Sequence, residues 1–268
     1  MDLLAGCPPC QGFSTIRTRN SSRPVDDPRN SLIFEFIKFV RELKPKAVMI
    51  ENVPPLAKDA RIIELSRVLA QLGYTSSHQL LDAADYSVPQ RRRRMILLAG
   101  RFGGIASPKP RKRRPTIRAA IGSLPPPRDS LDPLHRAQGK RSDRIMDLIR
   151  AIPTNGGSRS HLDKQYQLPC HTRCDGFKDV YGRMAWNHVA PTITSGCINP
   201  SRGRFLHPEH DRAITLREAA LLQTFPPDYQ FSLRRGRYAA AALIGNALPP
   251  KFARAQAAAV KEYLLLLD

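Results

Sequence analysis

The stretch Ser31-Leu-Ile-Phe-Glu-Phe-Ile-Lys-Phe-Val-Arg-Glu-Leu-Lys-Pro-Lys-Ala-Val-Met-Ile-Glu-Asn52 changes its hydrophobic period part-way along. In its first part Leu32, Phe36, Phe39, Val40 and Leu43 recur at three- and four-residue spacing, which predicts one face of a helix, with Asn30 as a candidate cap. Pro45 ends that helix, because proline cannot donate to the ladder and its ring clashes with the preceding turn. Ala47-Val48-Met49-Ile50 then reads as a short buried strand that delivers Glu51 and Asn52 at its carboxyl end.

Working outward, Asp2-Leu3-Leu4-Ala5-Gly6 reads as another short buried strand, running into the turn Cys7-Pro8-Pro9-Cys10-Gln11-Gly12. Downstream, Arg61 to Leu72 repeats a helical pattern and stops at Gly73. Tyr74 to Leu98 holds two strand-like segments around Val88-Pro89-Gln90 and the arginine run Arg91 to Arg94. The order strand, helix, strand, helix, strand, strand predicts an α/β fold with a doubly wound, Rossmann-like sheet.

The character changes after Arg101, where Ser107-Pro-Lys-Pro-Arg-Lys-Arg-Arg-Pro115 is a proline-spaced cationic run. A boundary placed here gives an α/β domain over residues 1–105 and a loop-rich binding domain over 106–214. Residues 215–268 are then a return segment to the first domain. It opens on a capping box, Thr215 with Glu218, and closes with a helix from about Pro250 to Leu267.

With 268 residues and 41% hydrophobic content, the chain can bury a core. Lys plus Arg number 43 against 23 Asp plus Glu, a net charge of +20 that favours a polyanionic partner such as nucleic acid. No apolar run reaches the length of a membrane span, and the start shows no secretory pattern, so a soluble cytoplasmic protein is expected. Five cysteines, an odd number, argue for free thiols in a reducing compartment rather than a disulfide framework.

A thiol at Cys10 directly follows a strand, and in open α/β sheets ligands bind beyond the strands' carboxyl ends. Glu51 leaves a second strand at the same edge. Arg92 and Arg94, at alternate positions, would start a third strand and point one way. Cys7 and Cys10 also fit a thioredoxin-like redox pair, or a zinc site with Cys170 and Cys174, although the latter pair is loosely spaced. His161, His171, His188, His207 and His210 show no ligand spacing, and Trp186 and Phe225 read as core.

Five strings together resemble the cytosine-5 DNA methyltransferase family: Gly-Cys-Pro-Pro-Cys-Gln-Gly-Phe-Ser (6–14), Glu-Asn-Val (51–53), Val-Pro-Gln-Arg-Arg-Arg-Arg (88–94), Arg-Glu-Ala-Ala-Leu-Leu-Gln-Thr-Phe-Pro (217–226) and Gly-Asn-Ala-Leu-Pro-Pro (245–250). The resemblance implies that Cys10 adds to C6 of a flipped cytosine while Glu51 protonates N3. It also implies that Arg94 contacts O2, that Arg92 helps hold the carboxylate and the base, and that S-adenosylmethionine gives the methyl group, with Pro9, Asn246 and Ala247 near it. The expected partner is double-stranded DNA, met by Gln11, Ser14, Gln90, Arg111, Lys112, Arg113 and Arg114, the basic residues neutralising phosphates.

The family begins with a strand ending in a glycine-rich turn, followed by two acidic residues that bind the donor. The present sequence starts almost at the strand carrying Cys10, so the expectation is a sheet lacking its first strands, exposing an edge and binding donor poorly on its own. A truncated or decayed chain, or one subunit of a split methyltransferase, fits that pattern. Either a complementary subunit or a restriction endonuclease is a further candidate partner, and a catalytically inactive DNA-binding remnant is the alternative function.

Overall fold

A computed structural model describes residues 1–8, 32–166 and 179–267. Pro9, Cys10, Gln11, Ser14, Asn30, Ser31, Cys170, His171 and Cys174, all named above, lie outside the described residues. The chain divides into two compact units, the first formed by Met1–Asp82, Arg93–Pro110 and Ala253–Asp268, the second by Ala83–Arg92 and Arg111–Phe252.

The first unit is built on a four-stranded sheet of order β1-β2-β4-β3, with β1 Leu3–Gly6, β2 Ala47–Asn52, β3 Thr75–Asp82 and β4 Arg93–Gly100. Helix α1, Leu32–Leu43, joins the parallel pair β1 and β2, as a crossover must. Helix α2, Ala60–Gln71, is capped by the Asp59 carboxylate on the Arg61 N–H and closes at Gly73, whose φ of 85° suits glycine. The expected alternation of elements is present, but the sheet is mixed: β4 runs antiparallel to both β2 and β3. Two strands adjacent in sequence pair antiparallel without a crossover helix, and that is why periodicity alone suggested more parallel winding than there is.

Strand β4 lies inside the sheet, and Met95 through Gly100 are all buried. One face carries Val48, Ile50, Met95, Leu97 and Ala99 against Ile33, Ile37 and Val40 of α1 and Ile62, Leu65 and Leu69 of α2. Each fully buried Ile or Leu there contributes about 1.5–3 kcal/mol. Close packing of α1 on β1 requires glycine at position 6, since a Cβ would stand 2.5 Å from the Phe36 ring. On β1, by contrast, Ala5 is exposed, so the strand is less buried than its apolar sequence suggested.

Helix α3, Ile117–Ile121, opens the helical part of the second unit. It is followed by α4 Pro133–Arg136, α5 Asp143–Ala151, α6 Leu216–Leu222 and α7 Arg237–Asn246. The last helix, α8 Pro250–Leu265, begins at the end of this unit's sequence. Ile117 and Ile121 share one core with Leu216, Ala219 and Ala220 of α6 and Ala240, Ala241 and Ile244 of α7. By its contacts the segment 215–252 groups with the second unit, while Ala253–Asp268 groups with the first. Trp186 sits in that core and Phe225 packs against it. The capping box forms as read: Thr215 accepts from the Glu218 N–H while the Glu218 carboxylate accepts from the Thr215 N–H at 2.7 Å.

Candidate active site

Parallel pairing of β1 with β2 in the register Gly6↔Ile50 brings the exits of the two strands side by side, so Cys7 leaves next to Glu51. β4 completes the group. Glu51 is opposite Ile96, and Arg94, two residues before Ile96, projects from the same face of the pleat. Its Nε lies 2.7 Å from Glu51 Oε1, with the two side chains only 15% and 13% exposed. Burial lowers the pKa of Arg94 and the Glu51 charge opposes that effect. The guanidinium stays cationic, as arginine does in proteins.

Cys7 meets the same carboxylate. Both the Glu51 carboxylate and the Glu51 backbone N–H bear on its thiol, the first raising and the second lowering its pKa. Desolvation of the sulfur, and then the neighbouring negative charge, push the thiol up to about 12, although Cys7 keeps an edge open to solvent. Asn52, buried at the end of β2, holds the start of the following turn: Nδ2 donates to the Pro8 carbonyl at 2.9 Å and Oδ1 accepts from the Val53 N–H at 2.8 Å. Sequence reasoning named both residues, Cys7 only as half of a redox or zinc alternative and Asn52 only as the neighbour of Glu51, and assigned neither to the site. The available signals were the first cysteine of Cys-Pro-Pro-Cys and the residue following Glu51.

Among the expected site residues, Glu51 and Arg94 are brought together. Arg92 precedes β4 and belongs to the second unit, where its buried guanidinium donates to the carbonyls of Ile193 at 2.9 Å and Gly245 at 3.0 Å. These two carbonyls lie within the second unit, and they are the contacts the described residues give the side chain expected to help hold carboxylate and base. Gln90, expected to meet DNA, is fully buried, donates to Gln223 Oε1 at 2.8 Å and accepts from the Ile193 N–H at 2.8 Å.

The cationic run stays on the surface. Arg111, Lys112, Arg113 and Arg114 are exposed, with Arg114 Nε paired to Asp85 at 2.7 Å. Nearby in the same unit is a cleft of about 720 Å³ whose wall includes Arg91, Asn155, Arg183, His188, Thr192 and Arg204. Arg183 and Arg204 are committed there to backbone carbonyls and to Asp211 and Asp179, whereas Arg91 and His188 are exposed on its rim. Asn246 is exposed at the end of α7, and the Ala247 carbonyl accepts from Gln223 at 3.4 Å.

The family model for C-5 cytosine-specific DNA methylase matches residues 1–262. Over 279 residues the chain is 36% identical to the type II methylase M.HgiDII of Herpetosiphon aurantiacus, covering 98% of this chain and 76% of that protein. It is 32% identical to the type II methyltransferase M1.HphI of Haemophilus parahaemolyticus, covering 97% and 68%. Among solved structures, a prophage-encoded E. coli protein described as a DNA modification methyltransferase superposes with a TM-score of 0.71 at 21% identity, covering 100% of this chain and 80% of that one. The S. pombe Dnmt2 methyltransferase superposes with a TM-score of 0.56 at 19% identity, covering 98% and 78%. At these identities the structures speak for the fold.

Proposed function

Because this chain belongs to the C-5 cytosine-specific DNA methylase family, we propose that it methylates carbon 5 of cytosine in duplex DNA through a covalent adduct on Cys10. The carrying observation is the Glu51–Arg94 pair at the carboxyl edge of β1 and β2, with only Pro8 and Pro9 separating Cys7 from Cys10. Addition of a thiolate to C6 is difficult because the pyrimidine is a poor electrophile. An acid at N3 draws off the developing charge, the role assigned to Glu51, while Arg94 orients that acid and faces the ring's O2. Of the two thiols, Cys7 is unsuited to the attack, since a group titrating near 12 is not a thiolate at neutral pH. The base must leave the stack to reach these groups.

The methyl donor implied by the family is S-adenosylmethionine, which supplies the transferred group when bound. The described residues do not build a pocket for it. Among them no strand runs into a glycine-rich turn that opens a helix, and the candidate contacts they offer are the exposed Asn246 and the half-buried Ala247. On the DNA side, Lys112 and Arg113, with Arg91 on the cleft rim, suit phosphate contacts that give affinity without sequence information. The type II methyltransferases among the relatives support a place in restriction and modification, and the partner proposed beside DNA is a restriction endonuclease or a complementary methyltransferase subunit.

The test is nucleoside mass spectrometry of duplex DNA incubated with the chain at an S-adenosylmethionine concentration high enough to offset the weak donor binding expected of it. The expected mark is 5-methylcytosine. A methyl group on cytosine N4 or adenine N6, or bound DNA that stays unmarked, would overturn the proposal.

A further inference from the structure

We propose that Asn155 and His188, on the wall of the cleft in the second unit, read the edge of a guanine in the DNA, while Arg91 on the rim takes a phosphate. The inference rests on the DNA-methylating reading given above and adds the residues that set its target sequence. Asn155 is held in place on every side. Its φ is 53°, a left-handed conformation that asparagine tolerates, and its N–H donates to the Pro208 carbonyl at 2.7 Å. The carbonyls of Gly156 and Gly157 accept from Arg204 Nη1 at 3.0 and 3.2 Å. Gly156, at φ 107°, packs so closely that a Cβ there would stand 3.3 Å from the Ala185 Cβ.

The amide is also oriented. Asn155 Oδ1 accepts from the Trp186 N–H at 2.9 Å, so Nδ2 is the end left over, with no hydrogen-bond partner among the described residues. His188 follows two residues after Trp186, in a turn closed by its N–H on the Ala185 carbonyl at 3.1 Å and tied by the Ile117 N–H on its own carbonyl at 2.9 Å. Its imidazole is exposed and likewise has no hydrogen-bond partner among the described residues. Both residues and Arg91 line the same cleft, whose other arginines, Arg183 and Arg204, are spent on the frame. A fixed backbone carrying unspent polar groups is what base reading needs. Reading adenine takes both ends of an asparagine amide, but here the oxygen is turned to Trp186. A donor alone suits the O6 and N7 acceptors that guanine shows in the major groove.

The test is selection of bound duplexes from a sequence-randomised library by the full chain, without methyl donor, with the bound pool sequenced. The wild type is expected to enrich sites with guanine at one fixed position. Asn155→Asp keeps the acceptor for the Trp186 N–H and tolerates the same backbone, so a residue that only shapes the turn would leave the enriched sequence as it was. The expected result is a preference for that guanine lowered at least about fivefold, with the urea midpoint close to that of the wild type. His188→Ala, at an exposed position, should relax the same or the adjacent base pair by a similar factor. Arg91→Ala should weaken all sequences alike and reduce the slope of log affinity against log salt by about 1. A wild type that enriches no sequence overturns the proposal. So does an enriched sequence unchanged in both Asn155→Asp and His188→Ala, including the case where binding weakens equally for every duplex. An enriched sequence that the wild type does not methylate contradicts the catalytic reading instead and leaves base reading standing.

Discussion

Asn52 Nδ2 donates to the carbonyl of Pro8 at 2.9 Å, tying the end of β2 to the turn that leaves β1. A single amide therefore fixes the backbone from which Cys10 follows, and Asn52 Oδ1 on the Val53 N–H fixes the amide in turn. Asn52→Ala removes both bonds in a buried place, at a cost of about 1–3 kcal/mol. The expected result is a rate of DNA adduct formation at least about tenfold lower, with far-UV circular dichroism unchanged. Wild-type adduct rates in Asn52→Ala would show that the turn is held by other means.

Arg92 and Arg94 are separated by one residue and meet different partners, two backbone carbonyls and the Glu51 carboxylate, so their variants should fail differently. Arg92→Ala strips donors from two buried carbonyls and is expected to lower stability by about 2–4 kcal/mol, read as a fall in the denaturant midpoint. Arg94→Ala leaves Glu51 without its ion-pair partner and should abolish methylation while shifting the midpoint much less. The reverse pattern would refute the division of roles.

Acid should destabilise the second unit through two groups. His207 is buried, and desolvation pushes it down to about 3, outweighing the attraction of Glu218 at 3.8 Å. Glu218 is held below its ordinary value: burial works against the charge, but the Arg212 hydrogen bonds and charge prevail. For both groups the folded pKa lies below the unfolded one, so the unfolded chain binds more protons as pH falls. Stability is then fully present above about 6.5 and is lost toward pH 3. Urea midpoints measured between pH 7 and pH 3 should fall, and less steeply in His207→Asn, which can still accept from the Glu209 and His210 N–H groups.

How far could these features be read from sequence? The helix and strands around Glu51 were legible because Leu32 to Ile50 switches cleanly from helical to strand periodicity, and the capping box at Thr215 because its spacing is local. The antiparallel insertion of β4 was not, since pairing direction depends on a connection that runs through the other unit. Gln90 and Arg92 looked like site residues because they sit in a polar string beside Arg94. Their burial depends on Ile193, Gln223 and Gly245, more than a hundred positions away, and no local pattern carries that information.

Gln256 of α8 is fully buried, and both atoms of its amide lack a hydrogen-bond partner among the described residues. A buried amide without partners costs about 1–3 kcal/mol, so Gln256→Met, close in volume and free of that penalty, is expected to raise the melting temperature by several degrees. An unchanged or lower melting temperature would mean the amide is satisfied in solution.

Lys112 and Arg113 are exposed without charge partners in the described structure, as phosphate-binding residues should be. Replacing both with alanine should weaken binding equally for any duplex sequence and reduce the slope of log affinity against log salt by about 2. A loss confined to one sequence would instead assign them to base reading.

The most direct measurement is covalent capture of DNA by Cys10. Duplex DNA bearing 5-fluorocytosine, incubated with the chain and S-adenosylmethionine, should give a denaturation-resistant protein–DNA species, because fluorine blocks the release of the sulfur. That species should map to Cys10 by peptide mass spectrometry, vanish in Cys10→Ser and persist in Cys7→Ser. An adduct on Cys7, or none on Cys10 while 5-methylcytosine still forms, would contradict the account.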